Sequence, residues 1–148
     1  SMLQVTGLLD PSVGGKPALL SNVDNNRRTL YATIKRRELD EVLKMFGFPE
    51  PTTHSPKRDK MNTPLQQLYS LNSAFIWRCA NHLASSYTVK PLKDLKLIVT
   101  ELYHKVYSRD ATSQEYDVAL EYLNKTGPDG LRRYIHALLI SNEFAFLD

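Results

Sequence analysis

From Glu38 onward the apolar residues recur at the interval of an α-helix; before that point they do not. In "ELDEVLKMFGF" Leu39, Val42, Leu43 and Phe46 fall on one face, and Gly47 is placed to stop the helix. "TPLQQL" carries a stronger start signal. Thr63 can cap, Pro64 suits the first helical position, and Gln66 follows three residues later as the partner of a capping box. That helix is predicted to break near Asn72, with Ser73 capping the next. There Ile76, Cys79, Ala80, Leu83 and Ala84 form the apolar stripe, with Phe75 on its flank. Residues 92–107 repeat the pattern through Leu95, Ile98, Val99, Leu102, Tyr103 and Val106. Thr112 and Glu115 make a second capping box, opening a helix expected to bury Tyr116, Ala119, Leu120 and Leu123. "GPDG" at 127–130 reads as a turn, and a last helix carries Leu131, Tyr134, Ile135, Leu138 and Leu139.

The first quarter has a different texture. Gly7, Pro11, Gly14, Gly15 and Pro17, then the polar run Asn22 to Asn26, predict an irregular arm lying on the surface. "RTLYATIKR" alternates Leu30, Ala32 and Ile34 with Tyr31, Thr33 and Lys35, which suits one short extended stretch. A lone strand makes no sheet, so it must lie against the helical body or pair outside the chain. Pro49 and Pro51 open a polar, basic loop that runs to Asn62. The expected fold is all-α, a compact helical bundle of five to seven helices with an irregular N-terminal arm and at most one short extended stretch. Residues 1–148 are expected to be a single domain, with 1–37 the arm and 38–148 the helical body.

Composition narrows the class without naming a reaction. A chain of 148 residues, 42% hydrophobic and 24% charged, has the balance of a globular domain. No apolar run approaches the roughly 20 residues that a membrane-spanning helix needs. The opening "SMLQVTGLLDPSVGG" shows no signal peptide, which is silent about where a longer parent protein is placed. A single cysteine rules out an intramolecular disulfide, so packing alone must hold the core. The net charge of +3 is too mild and too scattered to point to nucleic acid.

One stretch invites a chemical reading. "WRCANH", Trp77 to His82, places Cys79 and His82 three residues apart, on one face of a helix, where two metal ligands would stand. It also looks like a haem attachment motif lacking its second cysteine. Two ligands do not complete a zinc site, and covalent haem needs the second thiol. His54, His104 and His136 add no second ligand at helical spacing. Cys79 lies on the apolar stripe and is expected to be buried and inert, with His82 near the surface; no metal or cofactor is assigned to this chain.

Basic residues cluster at Arg27 and Arg28, at Lys35 to Arg37, at Lys57 to Lys60, and again at Arg132 and Arg133. The first three groups could converge on an anionic partner such as a sulfated glycan. The stronger reading is structural: paired arginines often tie irregular arms to carboxylates or helix C-termini through forked hydrogen bonds. The candidate anion- or partner-binding residues are Arg28, Arg36, Arg58, Asp59 and Asn72. Eight tyrosines and Trp77 suggest a sugar-stacking platform, for which Trp77 and Tyr31 are the rings expected to be exposed. No G-x-S-x-G, phosphate loop or H-E-x-x-H occurs, and no catalytic residue is assigned.

Several strings, in order, resemble one family: "TGLLDPSVGGKP", "NNRRTLYATIKRR", "FGFPEP", "KRDKMNTPLQQLYSLNSAFI" and "LLISNEFAFLD". It is the C-terminal planctomycete-specific domain of unknown function, family fifteen fifty-three, and the resemblance covers nearly the whole chain. Its characteristic positions fall on Arg28, Leu30, Tyr31, Arg58, Asp59, Thr63, Pro64, Gln66, Leu71, Asn72, Ser73 and Phe75. Gln67 departs from the small Ala usual there, and Cys79 has no special place in the pattern. The resemblance implies a C-terminal fragment of a large exported protein, periplasmic or at the cell surface. It also implies an upstream domain, residues 1–8 being the tail of a helix that begins there, and haem only in a separate cytochrome-c-like domain of the parent. The function expected is a non-catalytic helical module that packs on the upstream domain and helps bind a protein partner or anionic glycan. The alternative is part of an enzyme, redox or polysaccharide-related, whose active site needs the upstream domain.

Overall fold

The computed structural model describes residues 1–35, 37–52, 63–88 and 95–145. In chain order its elements are α1 (Met2–Thr6), a 3-10 turn (Thr29–Tyr31), α2 (Glu41–Met45), α3 (Pro64–Asn72), α4 (Ala74–Thr88), α5 (Leu95–Tyr107), α6 (Ser113–Leu139) and α7 (Asn142–Ala145). Among the described residues there is no named strand, only two isolated parallel bridges, so the architecture is all-α as expected.

The sequence punctuation is realised bond by bond. Thr63 and Thr112 each accept from the backbone amide three residues on, and Gln66 and Glu115 reach back to complete both capping boxes. Asp40 caps α2 by accepting from the Val42 amide at 2.9 Å. At the other end Gly47 turns left-handed (φ 68°), and the Phe48 amide reaches the Leu43 carbonyl at 2.9 Å. Gly7 closes α1 in the same way, with the Leu8 amide on the Leu3 carbonyl at 2.9 Å. The "GPDG" turn is present as a break at Gly127 (φ 61°, ψ −151°), where the two helical halves of α6 meet across a kink. A following proline disfavours helical geometry at this position, and only glycine takes such angles without strain.

Contacts divide the chain into two compact units: Ser1–Leu8 with Ile76–Asp148, and Leu9–Phe75. The first owns almost all of the described core. Ile76, Cys79, Ala80, Leu83, Ala84 and Tyr87 of α4 are buried, as are Ile98, Val99, Leu102, Tyr103 and Val106 of α5. Ala119, Leu123, Leu131, Ile135, Leu138 and Leu139 supply the α6 side. Each leucine, isoleucine or valine among them, fully buried, stabilises by about 1.5–3 kcal/mol before entropy is subtracted. Tyr116, Leu120 and Tyr134, expected inside, are half-buried. The two tyrosine hydroxyls instead meet Thr100 and Tyr103, keeping a polar tip paired at the edge of the core.

The second unit, residues 9–75, buries only Leu39 and Leu43 among its described apolar side chains. Directed hydrogen bonds order it instead. The Asp10 amide meets the Asn26 carbonyl at 2.9 Å, and Ala18 bridges to the segment after the 3-10 turn through Ala18 N–H to Tyr31 O at 3.0 Å and Thr33 N–H to Ala18 O at 2.9 Å. The extended stretch expected over "RTLYATIKR" is therefore, among the described residues, a bridge at Ala32 preceded by the 3-10 turn. Its alternation does not mark a buried face: Leu30 is 77% exposed and Ile34 50%. Gln66 does more than complete its capping box, since its Nε2 donates to the Met45 carbonyl at 2.7 Å and ties α3 to the end of α2.

Arg109, which nothing in the pattern singled out, joins three elements of the first unit. Its guanidinium grips Glu115 at 2.8 and 2.9 Å and Glu143 of α7 at 2.6 and 2.8 Å, and it lies over the rings of Tyr103 and Tyr107. The bond from Arg109, with help from Thr112, pulls the Glu115 carboxyl from 4.5 to about 2. A depressed carboxyl pKa stabilises the fold fully above the unfolded value and loses that contribution as pH falls through the folded one. The melting temperature of the wild-type chain is expected to drop between pH 4.5 and about 2. Glu115→Gln should melt lower at pH 7 and show a flatter acid limb, which thermal denaturation across that pH range will check.

Candidate functional site

The arm is built around Arg27. Gly14 and Gly15 adopt positive φ (81° and 89°), which turns the loop so that the Gly14 and Lys16 carbonyls face one guanidinium. Arg27 donates to both, and its guanidinium carbon lies 4.2 Å above the Tyr31 ring. Arg27 thus takes the role of an arginine tying an irregular arm to carbonyls. Of the candidate anion-binding residues, Arg28 is exposed at the start of the 3-10 turn, where its carbonyl accepts the Tyr31 amide at 2.9 Å. Asn72 is exposed at the end of α3, its Nδ2 donating to the Leu68 carbonyl at 2.9 Å. Arg36, Arg58 and Asp59 lie outside the described residues, as does His54.

Beside the arm lies an open groove of about 400 Å³, lined by Leu19, Ser21, Thr33, Lys35, Glu38, Leu39, Asp40, Glu41 and Val42. Leu39, just before the Asp40 cap, and Val42 of α2 give the groove its apolar side, and the rim is polar because α2 begins there with its cap and first-turn acid. Lys35 pairs with Glu38 at 3.2 Å, leaving carboxylates in the majority on this described lining. Sequence reasoning missed the groove, because its walls come from three separate stretches of the chain.

The helix carrying "WRCANH" is an ordinary packing element. Cys79 is fully buried, as expected, and His82 is exposed. Burial pushes the Cys79 thiol pKa up, against smaller opposing effects from the Thr6 hydrogen bond and Arg78, so the reactive thiolate is disfavoured. The two rings expected to be exposed are not. Trp77 is half-buried and stacks on His136 with centroids 3.9 Å apart and planes within 8°. Tyr31 is half-buried under Arg27. Each ring therefore already has one face covered, and for Trp77 the cover comes from a residue that sequence spacing could not supply. His104 pairs with Asp110 at 2.8 Å. Among the described residues no group of three or more His, Cys, Asp and Glu side chains is placed to hold a metal. In native protein Cys79 should resist a charged thiol reagent such as Ellman's and react at once in denaturant, which a colorimetric assay with and without guanidinium will show.

The most unequal feature is where apolar surface remains in solvent. Val13, Leu19, Val23, Leu30, Ile34, Phe46, Leu65, Leu68 and Leu71 are exposed in the unit of residues 9–75. The other unit exposes only Leu97 and Val118 among its described large apolar residues. No described helix is long and apolar enough to cross a membrane. As a class, the molecule is an all-α module with a well-filled helical core and a second, bond-ordered unit that shows its apolar side chains outward. The chain belongs to the family described as "Protein of unknown function (DUF1553)", whose model, PSD1, matches residues 1–123. That match stops short of "LLISNEFAFLD", so the shown likeness is less extensive than the resemblance suggested. Neither a curated protein nor a solved structure matches the chain.

Proposed function

We propose that this chain is a non-catalytic helical docking module that seats on a neighbouring domain of the same polypeptide through the surface of residues 9–75. The single observation that supports this reading is the imbalance just described: among its described residues that unit exposes nine large apolar residues and buries two. Scattered apolar residues are normal on a surface, but such a concentration marks an interaction face. Helix α3 gives it a ridge, with Leu65 and Leu68 one turn apart at 58% and 56% exposure and no charged residue along its length. An uncharged leucine ridge suits a domain that stays attached, because interface cores are depleted of charge. The acidic rim of the groove favours a protein partner over an anionic glycan for that part of the surface. The exported setting rests on the family resemblance alone.

The test uses the longer polypeptide that carries the neighbouring domain. Leu65→Lys with Leu68→Lys should leave the helical signal and the melting of the helical core in place, since exposed positions tolerate change within about 0.5 kcal/mol. Hydrogen exchange across α3, slow in the longer wild-type protein and faster in the isolated chain, should become roughly tenfold faster in the double variant. Equal exchange in the isolated and the joined wild-type protein would sink the reading.

A further inference from the structure

Helix α7 has only four residues, and none of them is buried. A helix this short has no stability of its own, so something outside it must hold it. Burial supplies little: Asn142, Glu143 and Ala145 are exposed and Phe144 is half-buried. Among the described residues the side-chain bonds that tie it down are polar and meet at the α5–α6 turn. Arg109 donates its Nε to Glu143 Oε1 at 2.6 Å and an Nη to Oε2 at 2.8 Å, a two-pronged grip on one carboxylate. The Tyr107 hydroxyl meets the Ser141 hydroxyl at 2.9 Å, and Ser141 in turn accepts the Phe144 amide at 3.2 Å. On its other edge Arg109 is anchored by Glu115 at the start of α6, so the guanidinium has a fixed position whether or not Glu143 is present.

We propose that α7 is a latch, held against the α5–α6 turn by charge rather than by burial, which opens without unfolding the helices beneath it. An isolated surface ion pair is worth little, but a forked pair whose arginine is already immobilised loses less entropy on forming. Both partners stay in reach of solvent, at 36% and 46% side-chain exposure, so salt or a competing carboxylate can displace Glu143. Opening uncovers the Nε edge of Arg109 and the Tyr107 hydroxyl. It turns a closed corner into a tyrosine-lined patch in which one guanidinium edge is free to donate while the other stays on Glu115.

Amide exchange measured by NMR decides the matter. In Glu143→Gln the Phe144 and Ala145 amides, bonded to Ser141 in the closed form, should exchange about five- to tenfold faster, while those of Val99 and Ile135 keep the wild-type rate. Raising salt should speed the same two amides in the wild type and leave the variant unmoved. Unchanged exchange in Glu143→Gln, with release produced only by Phe144→Ala, would show that burial holds α7 and would overturn the proposal. Acceleration of the core amides together with those of α7 would also overturn it, because α7 would then open only with the helices it covers.

Discussion

The rest of the molecule depends on where its apolar surface can be buried. Helices α4, α5 and α6 each carry an apolar stripe wide enough to fill one core, and with α1 they form a unit that needs little else. The chain between Leu9 and Phe75 has no comparable stripes. Its helices α2 and α3 have five and nine residues, too short to bury much, so its order comes from bonds aimed at the backbone. Asx-type turns at Asn22 and Asn25, the Gln66 bond to Met45 and the Arg27 fork all serve that purpose. A segment ordered in this way leaves its apolar side chains facing outward, and the docking reading follows from that imbalance.

Two arginines show how one chemistry serves both units. Arg27 spends its donors on carbonyls of a glycine-shaped loop, where a planar fork fits and a lysine would not. Arg109 uses the same fork on two carboxylates and so joins the α5–α6 turn to α6 and α7. Neither is arranged like a residue that acts on a substrate. Cys79, His82 and Trp77, which looked chemical in one dimension, prove to be a packed thiol, a surface imidazole and a ring stacked on His136.

What was legible in the sequence was local. Both capping boxes, the stop at Gly47, the break after Asn72 and the stripes of α4 and α5 depend on residues within a turn or two of each other, and side-chain spacing reports such contacts directly. The burial of Cys79 was readable for the same reason. What only the tertiary structure decided involves partners far apart in the chain. The alternation at Leu30 to Ile34 suited a short extended stretch, yet the pairing there is a single bridge from Ala32 to Ala18, and Leu30 and Ile34 are exposed. Arg109 gave no signal, because Glu143 is brought to it by the return of the chain through α6. His136 covers Trp77 for the same reason. Periodicity tells which face of a helix is apolar; it does not tell what that face, or a lone arginine, will find on a helix formed elsewhere in the chain.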